Sequence, residues 1–338
     1  MSRRVNIPIF IPHLGCPNDC VFCNQRTLAG VEEFAPESLD GIVCEVLSTV
    51  SADDIAEIAF FGGSFTGIGE DKMTQLLGRA QRYIDSGRVK SIRLSTRPDY
   101  INESILELLS RYSVSTIELG IQSTSDEVLA ACRRGHTSLD SKRACELIKR
   151  HGFELVGQMM VGLPASDSES ERRTAQDICD WGADAARIYP TVVFYGTELC
   201  NMAERREYAP LDTDSAVKRT ADIIEVFDSY GVPCIRIGLC ASENLASEGS
   251  VYGGANDAAI GEMAQSEVFL RKIRSSLKVK EVYEKTLCLT VPRGCTSRAV
   301  GHRGKNKDVL ASEYGVKKII VRECDELSRY EIKADITD

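Results

Sequence analysis

Ile7-Pro8-Ile9-Phe10-Ile11-Pro12-His13-Leu14-Gly15-Cys16-Pro17-Asn18-Asp19-Cys20-Val21-Phe22-Cys23 is a short, strand-like apolar run that leads straight into a loop with three cysteines. The same pattern, without the cysteines, recurs down the chain. Short apolar runs at 55–61, 91–95, 116–121, 154–161 and 185–190 alternate with amphipathic stretches at 36–48, 70–86, 102–112, 138–151 and 167–181. A helical stretch at 212–230 then precedes a last apolar run at 233–237. Strands separated by helices of this length are βαβ units, whose strands lie parallel in one sheet. Six or seven units exceed a minimal doubly wound sheet, so the chain is expected to be α/β, with a partial (β/α)6 barrel. Function in such a barrel gathers at the C-terminal ends of the strands.

The chain has 338 residues, enough for one barrel and a small appendage. A core of that size needs no disulfide staples. No apolar run approaches the roughly 20 residues that cross a bilayer. The start, Met1-Ser2-Arg3-Arg4, lacks the apolar region and cleavage site of a secretory signal, so a cytoplasmic location without membrane contact is expected. Thirteen cysteines in such a protein are thiols or metal ligands. Only Cys16, Cys20 and Cys23 have ligand spacing. Cys132, Cys200, Cys234, Cys240, Cys288, Cys295 and Cys324 read as ordinary thiols, as do Cys44, Cys145 and Cys179, which sit at apolar helical positions and are expected to be buried.

The net charge of −9 is unevenly spread. Between Arg271 and Lys307 lie eleven Lys or Arg and two acids, a segment of +9 on a remainder of −18. Such asymmetry points to a polyanion-binding end, with a solvated basic helix face as the plain alternative. Residues 239–254, rich in Ser, Gly and Ala, read as a boundary. The expected organisation is a barrel at 1–240, a connecting loop and helix at 241–277, and a small α+β domain at 278–338.

The cysteine loop has the spacing C-x3-C-x2-C. Three thiolates on one loop can each hold one iron of a [4Fe–4S] cubane and leave the fourth iron open. Zinc is the competing metal; it wants a fourth ligand, and His13 is the nearest histidine. With Phe22 at the aromatic position, the loop resembles the radical S-adenosylmethionine superfamily. The resemblance implies that the open iron chelates S-adenosylmethionine and that one electron, from an external donor such as flavodoxin or ferredoxin, yields a 5′-deoxyadenosyl radical. Gly62-Gly63 after the second run matches the methionine-binding motif of that superfamily, with Ser64 where an acid often stands.

Polar residues recur at the other strand ends: Ser95-Thr96-Arg97-Pro98-Asp99, Gly120-Ile121-Gln122-Ser123, Gln158 before Gly162-Leu163-Pro164, and Arg187. Together with the cysteine loop, these stretches, over residues 5–237, resemble the radical domain of the elongator catalytic-subunit family, which modifies the wobble uridine of tRNA. They are more distantly similar to oxygen-independent coproporphyrinogen oxidases. The resemblance implies that Gln122 and Arg134 contact the ribose and methionine portions of the cofactor, and that Phe22, Ser95 and Gln158 share its pocket. Arg97 and Arg187 are then substrate contacts or structural ion-pair partners. The chain departs from the elongator family in its short cysteine spacing and in having no acetyltransferase domain after the radical one, so acetyl-CoA-dependent carboxymethylation is not expected.

The last 60 residues read as strand, short helix, Gly301-His302-Arg303-Gly304 loop, helix beginning near Lys305, and strand. This resembles a minimal KH core, in which a GxxG loop clamps a nucleic-acid backbone. An acetyl-CoA loop at Arg298-x-x-Gly301-x-x-Gly304 is the weaker alternative, because Arg303 stands where a small residue is wanted. The expected function is radical chemistry on an RNA base, most directly in tRNA. The alternatives are radical chemistry on a small molecule such as a tetrapyrrole, and an RNA-binding iron–sulfur scaffold without turnover.

Overall fold

The computed structural model describes residues 4–11, 16, 20–23, 34–51, 53–239, 249–278 and 281–337. Seven strands form one parallel sheet: β1 (Arg4–Ile11), β2 (Ile55–Gly62), β3 (Ser91–Thr96), β4 (Val114–Gln122), β5 (Glu154–Val161), β6 (Ala185–Pro190) and β8 (Cys234–Ile237). They stand side by side in chain order. The intervening helices are α1 (Ser38–Thr49), α2 (Glu70–Asp85), α3 (Glu103–Leu109), α4 (Asp126–Ala131), α5 (Ser138–Arg150), α6 (Ser168–Asp180), α7 (Glu198–Glu204) and α8 (Thr213–Ser229). The result is an α/β half-barrel.

Strand parity explains why it is open. Successive side chains on a strand point to opposite faces. Ile7 and Ile9, Ile58 and Phe60, Ile92 and Leu94, Ile117 and Leu119, and Ile188 all sit in one core with Leu39, Val43, Leu77, Ile148 and Phe227 of the helices. The alternate positions carry Glu57, Arg93, Glu118, Gln158 and Arg187. A parallel sheet with helices on both sides has apolar residues on both faces. Here one face is charged, and the described helices pack on the apolar, convex side.

Six helices of the half-barrel begin with a side-chain cap. Asn102, Ser125, Thr137, Asp167, Thr197 and Asp212 each accept a hydrogen bond from a backbone amide of the helix that follows. Each cap satisfies an amide the helix cannot, and fixes where the chain leaves the strand end.

Four elements of the half-barrel region were not foreseen. The small helices α4 and α7 are too short to show a periodicity. Strand β9 (Val251–Gly254), antiparallel to β7 (Val192–Phe194), lies within the stretch read as a boundary. Gly254 makes that pairing close, for a Cβ there would meet the Thr191 carbonyl at 2.5 Å. Cys44 is exposed, facing the Tyr83 hydroxyl at 3.7 Å, rather than buried as its helical position implied; Cys145 is buried as expected. The residues of α1 that reach the core are Leu39, Val43 and Leu47, which leaves Cys44 on the outer side.

Helix α9 (Ile260–Leu277) joins the half-barrel to the C-terminal unit. Ala264, Val268 and Phe269 belong to the barrel core, whereas Leu270, Ile273 and Leu277 pack with Leu287, Leu289, Leu310 and Val316. The unit comprises β10 (Thr286–Pro292), α10 (Thr296–Val300), α11 (Lys305–Tyr314), β11 (Lys318–Cys324) and β12 (Lys333–Thr337). Its sheet runs β11-β10-β12, with β10 parallel to β11 and antiparallel to β12. The third strand, β12, was not read from the sequence. Buried Asn306 pins the unit to α9 by donating to the carbonyls of Ser266, Arg298 and Ala299 at 2.9, 3.3 and 3.3 Å. Asn306→Ala is expected to lower stability by about 1–3 kcal/mol, since those carbonyls lose a buried donor; urea unfolding followed by circular dichroism checks it.

Candidate active site

The cysteine loop lies at the C-terminal end of β1. Cys20 is buried, and Cys16 and Cys23 are half-buried. Residues 12–15 and 17–19, His13 among them, lie outside the described residues. Among the described residues, no three Cys, His, Asp or Glu side chains close around a common point. The end of the loop is firmly seated. The Val21 amide donates to the Cys132 carbonyl at 3.1 Å, and the Leu199 amide donates to the Val21 carbonyl at 2.8 Å. Val21 is buried with Val128, Leu163 and Leu199, and Phe22 packs at the edge of that group. Leu163 of the Gly-Leu-Pro element thus has a physical role: it is part of the apolar seat of the loop.

The strand ends converge on the same place. Ser64 is buried, and its hydroxyl lies 3.6 Å from the Cys16 sulfur. Gly62 has φ +107°, and a Cβ there would meet the Ile11 carbonyl at 2.5 Å. The neighbouring strand therefore demands a glycine at Gly62, and the Gly63 amide donates to the same carbonyl at 2.9 Å. Gln122 sits at φ +67° where the β4–β5 register shifts. It is buried, and its Oε1 has no hydrogen-bond partner among the described residues. A strained backbone and an unmet buried acceptor on one residue are marks of a ligand site.

Two guanidiniums face Cys20. Arg134 Nη1 lies 3.5 Å from its sulfur and Arg97 Nη1 lies 3.9 Å from it. Arg97 is 2% exposed, and Asp99 grips it through two bonds of 2.9 and 3.0 Å. Its side chain is therefore turned to the cysteine loop and away from any open substrate surface. The buried ring of His136 lies 4.0 Å from Asp99. Burial, then the nearby charge of Arg134, pulls its pKa from 6.5 down to about 4, with Asp99 opposing and Arg97 adding to the fall.

On the concave face, Arg187 donates to Glu118 at 3.0 Å and lies 5.3 Å from the centre of the Phe61 ring. Arg93 approaches Glu118 at 3.1 Å and Glu57 at 3.8 Å. Burial pushes the Glu118 carboxyl up, while Arg187, Arg93, a Ser95 hydrogen bond and Arg236 hold it down. Arg187 is thus an ion-pair partner that also presents a cation to an aromatic ring. Gln158, beside Arg187 in register, is half-buried on the same face. Phe10 is 47% exposed and lies 6.3 Å from Phe61.

Residues 10–178 match the radical SAM superfamily, and residues 183–269 match the radical SAM C-terminal domain. The chain belongs to the radical SAM superfamily. It is an enzyme of that superfamily, with a [4Fe–4S] cluster and S-adenosylmethionine as its cofactors. The donor set of this structure fits them: three cysteines of one loop, two buried cations beside the middle sulfur of an anionic cluster, and the unmet acceptor of Gln122 nearby.

A tRNA uridine(34) acetyltransferase of Methanocaldococcus jannaschii is 34% identical over 134 residues, 39% of this chain and 25% of that protein. This alignment spans about a quarter of that relative's length. An uncharacterized protein of the same organism is 28% identical over 241 residues, 68% of this chain and 74% of that one. In structure, the chain is similar to Methanocaldococcus infernus Elp3 lacking residues 1–46, with a TM-score of 0.61, 21% identity, and coverage of 79% of this chain and 63% of that one. Among the described residues no helix is long and apolar enough to cross a membrane.

Cys20→Ala is expected to abolish the cluster and S-adenosylmethionine cleavage, whereas the reconstituted parent holds about four irons; iron assay and 5′-deoxyadenosine measurement check both. The buried neutral His136 gives an acid-side prediction. Its stabilisation is full above pH 6.5 and is lost as the pH falls toward 4, because the unfolded chain takes up the proton first. Between pH 7 and 5 the parent should lose about 2 kcal/mol more than His136→Phe in urea titrations.

Proposed function

We propose that this radical SAM enzyme acts on a base of RNA, most directly tRNA. The observation that carries this reading is the GxxG turn. Gly301 and Gly304 have φ of +86° and +82°, and exposed Arg303 between them has φ +53°. A Cβ on Gly301 would meet the Asn306 amide at 2.6 Å, so only glycine permits the turn. Buried Asn306 holds it rigid from below. The turn thus presents Arg303 to solvent with little ordering entropy left to lose, as a clamp on a phosphodiester backbone requires. His302 beside it is half-buried, and Lys305 at its end pairs with Asp214 at 3.2 Å.

The basic segment supports the reading less than its charge implied. Arg271, Lys272, Arg274, Arg293 and Lys305 are ion-paired with acids, several on α8 and α11, and much of the +9 is neutralised within the fold. Arg303 and Lys307 remain exposed. We take 278–338 as the RNA-contacting unit, and 1–240 with the helix of 241–277 as the catalytic body.

When bound, the cluster and S-adenosylmethionine supply the 5′-deoxyadenosyl radical. The residues of the chain supply the place where it is used. Gln122, Arg134, Gly62, Gly63 and Ser64 orient the cofactor from the strand ends, with Ser95, hydrogen-bonded to Glu118, on the third strand. Phe10 and Phe61, with Arg187 fixed by Glu118, offer an aromatic face on which a planar base can stack. The polar concave face and its exposed β1 side leave a flipped base a way in. The electron comes from an external donor such as flavodoxin or ferredoxin, and the cytoplasm, where thiols stay reduced, suits such a protein.

Binding of bulk tRNA at two salt concentrations tests the RNA reading. The parent should bind at low salt and weaken as salt rises, because neutralised phosphates release counterions. His302→Asp with Arg303→Asp should weaken binding while leaving uncoupled S-adenosylmethionine cleavage unchanged. A parent that binds no tRNA at low salt would exclude the RNA reading and favour a small-molecule substrate such as a tetrapyrrole.

A further inference from the structure

The two arginines at Cys20 are built in a way that binding of S-adenosylmethionine alone does not require. Each is buried, with Arg97 at 2% and Arg134 at 7% exposure. Each is held by partners other than the sulfur. Asp99 takes two bonds from Arg97, and the Arg134 carbonyl takes a third at 2.5 Å. The Gly120 carbonyl takes a bond of 2.7 Å from Arg134. Gly120 has no side chain to obstruct this, since a Cβ there would lie 2.9 Å from Arg134 Nη2. After these bonds, one Nη1 of each arginine is left pointing at the same sulfur, at 3.9 and 3.5 Å. Three segments, the ends of β3 and β4 and the turn after α4, are thus spent on placing two N–H donors and two positive charges against one cluster ligand.

We propose that Arg97 and Arg134 are positioning residues that raise the reduction potential of the cluster through Cys20. Reduction adds one electron and breaks no bond, so its free energy depends on how the surroundings receive one more negative charge. Hydrogen bonds to ligand sulfurs and nearby fixed charge are the means by which a protein sets that potential. Water would also donate to the sulfur, but it would reorient. The guanidiniums are locked before the electron arrives. Asp99 holds the Arg97 fork in plane, and its own charge is spread over two bonds on the side away from the sulfur. Arg134 donates from Nη2 to the Gly120 carbonyl while its Nη1 faces the Cys20 sulfur.

The experiment uses the full chain, reconstituted anaerobically, as Arg134→Gln, Arg97→Gln and the two Lys variants. Iron content and visible absorbance report whether the cluster is present. Redox titration followed by electron paramagnetic resonance, with dithionite as reductant, reports its midpoint without reference to turnover. The Gln variants should keep the iron of the parent and show at least a tenfold lower ratio of reduced to oxidised cluster at a fixed potential. That is a fall of about 59 mV for one electron. The Lys variants, which keep the charge and lose the fork, should fall less. Arg97→Gln leaves Asp99 without its partner and can fail to fold; Arg134→Gln leaves the Arg97–Asp99 pair in place and carries the test alone. An iron-replete Arg134→Gln protein with an unchanged midpoint would overturn the proposal. So would loss of iron from both Gln variants with circular dichroism unchanged, since the arginines would then hold the cluster and not tune it.

Discussion

Everything in this molecule depends on a parallel sheet that is apolar on one face only. The convex face buries Ile, Leu and Phe against helices, which is where burial of apolar area stabilises the fold. Among the described residues no helix covers the concave face, which carries Glu57, Arg93, Glu118 and Arg187, paired with one another. Those charges are tolerated because each meets its opposite. A half-barrel with such a face cannot close on itself as an apolar core, and it keeps these ion pairs nearly buried on its concave side.

The described residues of the cysteine loop are held from two directions. An apolar seat formed by Val21, Val128, Leu163 and Leu199 fixes its outer edge. A polar bracket of Arg97 and Arg134 fixes its buried middle sulfur. The bracket in turn leans on Asp99, on the Gly120 carbonyl and on the turn that carries Arg134. Displacement of any one of these would be felt at Cys20, which explains why polar residues recur at strand ends that are far apart in the chain.

The C-terminal unit is joined to the barrel by a shared helix rather than a linker. Helix α9 gives one part of its apolar surface to each core, and Asn306 stitches the GxxG turn onto it. The GxxG turn is therefore fixed to a helix that the barrel core itself buries.

The sequence by itself determined the sheet. Strand parity and helix spacing act over a few residues, and the strands of β5 and β6 match the expected spans to the residue. The cysteine spacing with Phe22, also local, carried the family resemblance that implied the cluster chemistry. The short helices α4 and α7 and the strand β12 escaped because too few residues carry any period. Only the tertiary structure decided what the arginines do. Arg97 and Arg187 look alike as polar residues at strand ends, yet one is buried against a sulfur and the other rests on Phe61 with Glu118 beside it. The same holds for the basic segment, whose charge was countable in the chain but whose partners, among them Asp222, Glu225 and Glu313, are about 40 or more residues away. Charge is a property of a residue, whereas its electrostatic effect belongs to whichever groups the fold brings within a few ångströms of it.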